Sequence, residues 1–220
     1  MAETKTETKK SKTKKASCKI CRRIGEKLFL KGEKCESPKC PLLKKPYPPG
    51  RKGKTLVRRL TEYGEELREV QKLKKSYLLE AKHFKKIVKE VLKERGKIDV
   101  SELLLKRLER KAFNVLYRAQ IASSRAQGKQ LISHGHFYLN GKKLTIPTYE
   151  VKIGDELTLT PSSQNKTFFK NILLTMDKSK IPSWLSFDPK NWKIKVIQDP
   201  DVETLKTKYN TSLIFAFYSR

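Results

Sequence analysis

A chain of 220 residues has room for one or two domains, and its 37% apolar content can supply a packed core. Charge is the dominant fact: 51 Lys and Arg against 23 Asp and Glu leave a net +28. That balance selects a polyanionic partner, nucleic acid ahead of a lipid surface. No apolar run approaches the roughly 20 residues needed to cross a bilayer. The N-terminus is basic but has no apolar segment, which excludes a secretory signal, and Glu3 and Glu7 argue against a transit peptide. The chain reads as cytosolic.

Residues 1–17 are Lys, Thr, Glu and Ser with almost nothing apolar. Such a basic tail cannot offset its ordering entropy alone and reads as disordered. All four cysteines follow, as Cys18-x2-Cys21, thirteen residues, then Cys35-x4-Cys40. Two close pairs joined by a short loop can converge on one tetrahedral ion, and four thiolates favour a structural zinc. A pair of disulfides is the alternative, disfavoured in a cytosolic protein. Redox catalysis by Cys18 and Cys21 lacks the βαβ context it needs. Arg22, Arg23, Lys27, Lys31, Lys34 and Lys39 surround the cluster, and the ion would hold those cations in place.

The run Lys44-Lys45-Pro46-Tyr47-Pro48-Pro49-Gly50-Arg51-Lys52 must be extended. It either lies along a nucleic-acid surface or serves as a plain linker. Arg58 and Arg59 continue its charge. Residues 1–60 hold 20 basic and 5 acidic side chains, a balance of +15 in the part poorest in core-forming residues. Amphipathic helices come next. Thr61 caps the first, with Tyr63, Leu67, Val70, Leu73 and Tyr77 as its stripe. Phe84, Ile87, Val88, Val91 and Leu92 mark the second, which Gly96 ends. Asp99 with Glu102 is a capping box that starts a third, carrying Leu103, Leu104 and Leu108. His83 reads as a surface residue.

The most informative stretch is residues 114–160. Val115, Leu116 and Ala119 share one face of a short helix. Ser124 caps a second with Gln127 completing the box, Leu131 and Ile132 are its buried side, and Gly135 is its left-handed stop. Arg125 and Lys129, four apart, stand on one face as a cationic surface. A hairpin follows: a strand over 136–139, the turn Asn140-Gly141 and a return over 142–146, with Lys142 and Lys143 at its tip. Residues 156–160 read as a third strand. No carboxylate lies between Arg110 and Glu150. Unbalanced positive charge of this kind suits a phosphate backbone. Residues 161–165 read as a linker and Phe168 to Met176 as a helix. Strands follow over 184–187 and 193–197. The run from Tyr209 to Arg220 permits either a strand or a helix capped by Asn210.

The order Ser-Arg-x-Gln-x-Lys-Gln-Leu-Ile-x-His-Gly-His-x-x-x-Asn-Gly over 124–141 resembles the RNA-binding domain named after ribosomal protein S-four. That domain also occurs in RNA-modifying enzymes. With the cysteine cluster, the Pro-rich basic segment and the terminal Phe-Tyr-Ser-Arg, the chain resembles the small-subunit ribosomal protein S-four family of the bacterial, zinc-carrying type. The resemblance implies an α+β protein with an N-terminal zinc-binding extension (18–60). It implies an all-helical domain (61–100 with 208–220) and an inserted α+β RNA-binding domain (101–207) with an antiparallel five-stranded sheet. It makes the last segment a helix. It implies one Zn2+ on Cys18, Cys21, Cys35 and Cys40, and early binding to a multi-helix junction in the 5′ domain of small-subunit rRNA. Ribosomal protein S-five would be a neighbour, near where messenger RNA enters, and the chain would not be a homo-oligomer or a membrane protein.

Candidate RNA contacts are Arg22, Arg23, Lys44, Lys45, Tyr47, Arg51, Lys52, Arg58 and Arg59 before the motif. Within and beside it they are Arg118, Ser124, Arg125, Gln127, Lys129, His134, His136, Asn140, Lys142 and Lys143. Three positions depart from the family pattern. Lys111-Ala-Phe-Asn114 replaces Arg-Leu-Asp-Asn, so Phe113 is expected to pack where an ion pair would stand. Gln120 replaces a Gly at a turn. Gly128 replaces an Ala, at an expected cost of about 1 kcal/mol. A structural RNA-binding protein fits best. The rivals are an RNA-modifying enzyme, for which no cofactor loop or catalytic Asp is visible, and a regulator that binds messenger RNA.

Overall fold

The computed structural model describes residues 13–50, 59–94 and 99–220. The expected tail before Thr13, the stop at Gly96 and the candidates Arg51, Lys52 and Arg58 lie outside these residues. Helix α1 (Thr13–Ile24) begins inside the stretch read as tail and carries Cys18 and Cys21. Two single-turn helices, α2 (Glu33–Glu36) and α3 (Pro41–Lys44), bring Cys35 and Cys40 back beside it. Helix α4 (Glu62–Ser76) starts where Thr61 Oγ1 accepts from Gly64 N at 3.2 Å. Acidic residues in its first turn and Lys74 and Lys75 in its last match the helix dipole. Helices α5 (Ala81–Lys93) and α6 (Val100–Glu109) bury Phe84, Ile87, Val88, Val91, Leu104 and Leu108 of the expected stripes and leave Leu92 and Leu103 half-buried. Tyr63 is the exception: it is half exposed and rests against Phe217, with ring centroids 5.6 Å apart.

The motif region forms α7 (Ala112–Arg118) and α8 (Arg125–Ser133), then strands β1 (Phe137–Leu139), β2 (Lys142–Leu144) and β3 (Glu156–Leu159). β1 starts one residue later than expected because His136 N belongs to the helix cap, donating to Leu131 O at 3.2 Å while Gly135 N donates to Ile132 O. Asn140 and Gly141 both take positive φ, 48° and 79°, which is the hairpin turn expected of this pair. Residues 161–164 are not a linker but a helical turn, α9 (Pro161–Gln164), with Pro at its first position and Ser163 buried. Helix α10 (Thr167–Thr175), a 3-10 turn (Lys178–Lys180), β4 (Leu185–Asp188) and β5 (Lys193–Val196) complete the inserted unit. The five strands are antiparallel in the order β2-β1-β3-β5-β4, with Phe137 between Leu144 and Leu159 and Leu157 opposite Ile194. Alternate residues of β3 and β5 are buried, as a sheet with one covered face requires.

Helix α11 (Glu203–Lys208) leads into α12 (Thr211–Ser219), which returns to pack on α4 and α5. Asn210 Oδ1 caps it, accepting from Leu213 N at 3.4 Å. Its end is tied down where Arg220 Nη2 donates to the buried Glu66 at 3.0 Å. One contiguous apolar core runs from Val70 to Phe215 through both the helical and the sheet-bearing parts.

The departures from the family pattern have structural outcomes. Phe113 is fully buried, while Lys111 pairs with Glu150 at 3.3 Å, so packing and an ion pair coexist. Gln120 holds φ 60° at the end of α7, with Ile121 N donating to Leu116 O at 3.1 Å. The turn a Gly would make is kept, at the strain of a side chain in the left-handed region. Gly128 is not the weakness its helix propensity suggests. A Cβ there would lie 2.5 Å from Phe113 O, so glycine is what lets α7 and α8 touch. In urea melts Gly128→Ala should therefore destabilise by about 1–2 kcal/mol, overpacking outweighing propensity, whereas Gln120→Gly should stabilise by about 1 kcal/mol by relieving the turn.

Candidate nucleic-acid interface

The cationic stretch is held from below by one buried carboxylate. Glu109, at the end of α6, is 1% exposed. Its Oε2 accepts from Arg118 Nε and from Asn114 Nδ2, each at 2.8 Å. Its Oε1 accepts from Arg118 Nη2 at 2.9 Å and from the Tyr77 hydroxyl at 2.5 Å. Arg125 lies 3.9 Å from the same oxygen and donates from Nε to Asn114 Oδ1 at 2.7 Å. Its guanidinium sits between the rings of Tyr77 and Tyr117, 4.5 and 4.9 Å from their centroids. Burial would raise the Glu109 pKa, but Arg118, Arg125 and Tyr77 outweigh it and hold it at about 2. Burial pushes the Tyr77 hydroxyl well above its ordinary value, so it stays a donor.

Arg125 and Lys129 therefore do not form the free cationic face expected of them. Arg125 is 8% exposed. Lys129 donates to the Leu78 carbonyl, lies 5.0 Å from the Phe113 ring centroid, and has its pKa lowered by burial. The four-residue spacing puts them on one face of α8 but does not say which way that face points. It points at α4 and α7. Arg118 is likewise committed, forked on Glu109. Ser124 is a buried cap, accepting from Gln127 N at 3.3 Å. Gln127 Oε1 accepts from Ser123 N at 2.6 Å, so the expected box closes one residue earlier. The Asp99 box is also replaced: Asp99 accepts from Ser101 N, and Glu102 pairs with Lys106 and Lys206. Asn140 locks the hairpin tip to the next turn, donating to Asp155 Oδ1 at 2.8 Å and accepting from Glu156 N at 2.9 Å.

The solvent-facing candidates are Arg23, Lys44, Lys45, Arg59, His134, Lys142 and Lys143. Arg22 is a clamp: its Nε donates to the carbonyls of Lys45 and Tyr47, both at 3.0 Å, and the guanidinium lies 5.0 Å from the Tyr47 ring centroid. It thereby fixes the segment that bears Lys44 and Lys45. His136 is half-buried. Ser163 Oγ accepts from Thr160 at 2.7 Å and shares a hydrogen bond with His136 Nδ1 at 2.8 Å, and burial lowers the His136 pKa. The expectation for His83 is corrected, since it is half-buried with Nε2 unpartnered and its pKa is lowered first by burial.

Cys18, Cys21, Cys35 and Cys40 line one cavity of about 10 Å³ and carry free thiols. Burial above all pushes the Cys21 and Cys35 thiols up, and the neighbouring sulfurs add to it. Lys31 N donates to Cys35 Sγ at 3.3 Å. The donor set fits a tetrahedral ion. Among the described residues, however, no three His, Cys, Asp or Glu side chains are drawn close enough to close on one. The shared cavity makes the sulfurs neighbours without making them a finished site.

Comparison with known proteins settles the lineage. The Ribosomal protein S4/S9 N-terminal domain matches residues 12–109 and the S4 domain matches 112–157. Small ribosomal subunit protein uS4 of Thermus thermophilus is 40% identical over 203 residues, covering 92% of this chain and 96% of its own length. The uS4 proteins of Koribacter versatilis (39% over 207 residues, 94% and 98% covered) and Acidothermus cellulolyticus (40% over 205, 93% and 97%) are similar throughout as well. This chain belongs to the uS4 family. It is a ribosomal protein of the small subunit and not an enzyme.

The two uS4 modules meet between residues 109 and 112, so the Glu109 cluster bridges them. The motif reading missed Glu109. Its one signal was position: Glu109 and Glu150 are the carboxylates that bracket the acid-free stretch, and both prove to be paired with its arginines and lysines. Because the folded pKa of Glu109 lies below the ordinary 4.5, the stability it contributes is present above that value and lost as pH falls through it toward about 2. Glu109→Gln should cost about 3 kcal/mol at neutral pH, leaving the buried Arg125 and the half-buried Arg118 underpaired. It should also flatten the acid limb of a denaturation curve between pH 4.5 and 2, read by circular dichroism.

Proposed function

We propose that this uS4 protein binds a multi-helix junction in the 5′ domain of small-subunit rRNA, early in assembly of the subunit. The observation that carries this reading is the split among its cations. Arg118, Arg125 and Lys129 are spent internally on rigidity, while Arg23, Lys44, Lys45, Arg59, Lys142 and Lys143 are solvent-facing on the frame so stiffened. None of these exposed cations has a carboxylate partner in an ion pair among the described residues. A rigid body with fixed, unpaired cations recognises the shape and phosphates of folded RNA, whose deep major groove side chains cannot read. In the same reading ribosomal protein S-five is a neighbour, the site lies where messenger RNA enters, and the chain acts as a single copy in the cytoplasm. Regulation of a messenger RNA would reuse the same surface.

One zinc ion on Cys18, Cys21, Cys35 and Cys40 belongs to this proposal. The ion would draw the four sulfurs to a common centre and stiffen α1, the helix that carries the Arg22 clamp. Metal analysis of purified protein should return one zinc per chain. Cys35→Ser should abolish it and loosen the N-terminal loop before the rest melts, seen as early amide exchange there.

Filter binding to a 5′-domain rRNA transcript tests the RNA reading. Lys142→Glu with Lys143→Glu should weaken binding and lower the slope of log K against log salt by about 2, since each lost phosphate contact removes about 1. The melting temperature should not move. Wild-type protein that ignores this transcript at moderate salt would refute the proposal.

A further inference from the structure

A second feature lies on the helical side, away from the motif. Where α1 ends against α4, a surface cavity of about 430 Å³ opens. Its apolar lining is Ile24, Pro46, Pro48, Leu60 and Leu67, with Pro46 and Leu60 exposed at its mouth. Its rim is Arg22, Arg23, Arg68 and Gln71, with no acidic side chain among the lining residues. Two of the guanidiniums are held in place. Arg22 is fixed through Nε by the carbonyls of Lys45 and Tyr47, and Arg68 reaches the Ile24 carbonyl through one Nη. Arg23 is exposed. The cavity therefore offers an apolar recess of ligand size beside two guanidinium groups already anchored to backbone carbonyls.

We infer that this cavity holds one unstacked nucleobase of the bound RNA, with the phosphate beside that base on the arginine rim. The chemistry matches on both counts. A base presents flat apolar faces, which stack on Arg planes and apolar walls, and its phosphate is an anion. A partner protein would have to bring an aromatic and an acidic side chain together to satisfy the same surface. The net charge of +28 and the exposed Lys44 and Lys45 nearby favour a polyanion instead. This inference rests on the RNA reading above and adds a place where one nucleotide leaves the helical stack.

The test fills the slot without touching charge. Gln71 is half-buried on the rim. Full-length Gln71→Trp should bind the 5′-domain transcript about tenfold more weakly, with the salt slope lowered by no more than about 1, since no cation is removed. Ala81→Trp, at an exposed position at the start of α5 outside the cavity, should bind within about twofold of wild type. Independently of any variant, photocrosslinking wild-type protein to transcript carrying 4-thiouridine should place an adduct on the Ile24–Gly25 or Leu67–Gln71 peptide. Wild-type affinity for Gln71→Trp, or crosslinks that avoid both peptides, overturns the base slot while leaving RNA binding intact. Failure of wild-type protein to bind the transcript overturns the RNA reading itself.

Discussion

The placement of the motif helices depends on one carboxylate buried away from solvent. Glu109 gathers Tyr77 from α4, Asn114 and Arg118 from α7, and Arg125 from α8. Three charged groups share one low-dielectric pocket, and burying them is costly unless each is fully hydrogen-bonded. Here the two Glu109 oxygens accept four donors between them, and Arg125 gains aromatic faces on both sides. Such an arrangement has few alternatives that keep all partners satisfied. It specifies one relative placement of the two uS4 modules where apolar packing alone would tolerate several.

The same constraint explains why a chain with so many cations can hold a fixed shape. A net +28 repels itself, and long Lys and Arg side chains carry entropy that contacts must overcome. The structure meets this by sorting its cations. Arg22, Arg68 and Lys129 are capped by backbone carbonyls, Arg110 and Lys111 are neutralised by Glu150, and Arg118 and Arg125 are centred on Glu109. The remaining exposed cations sit on helices and a hairpin whose positions these internal bonds fix. Internal pairing is thus what turns a diffuse basic composition into a defined charged surface.

Much of this was legible in the residues. Asn140-Gly141 specified the hairpin and Gly135 the helix stop because each demands a backbone conformation few other residues adopt. The apolar stripes of α4, α5 and α6 specified the helical core through their period alone. What stayed hidden is direction. Arg125 and Lys129 have the sequence of a solvent-facing pair, and only the approach of Tyr77 and Leu78, roughly fifty positions earlier, turns them inward. Gly128 likewise reads as a helix defect until Phe113 O is seen against it. In both cases the deciding partner is distant in sequence, and local propensity carries no trace of it.

The N-terminal loop follows a different physical logic from the rest. Its small buried cluster of Cys21, Ile24, Leu28 and Leu30 is separate from the main core. Gly32 is pressed against the turn before α8, where a Cβ would meet Ser123 O at 2.5 Å. So little apolar surface cannot order some thirty residues unaided. The loop therefore depends on cross-links of another kind. One is polar and already formed, Arg22 on the carbonyls of Lys45 and Tyr47. The other would be metallic, through four thiols of which Cys21 and Cys35 are held protonated above all by burial until a cation neutralises them. Binding of the ion would then reinforce the clamp that Arg22 already makes. Cys21 and Arg22 are adjacent on α1, so an ion that fixed the sulfur would also steady the guanidinium that holds the segment bearing Lys44 and Lys45.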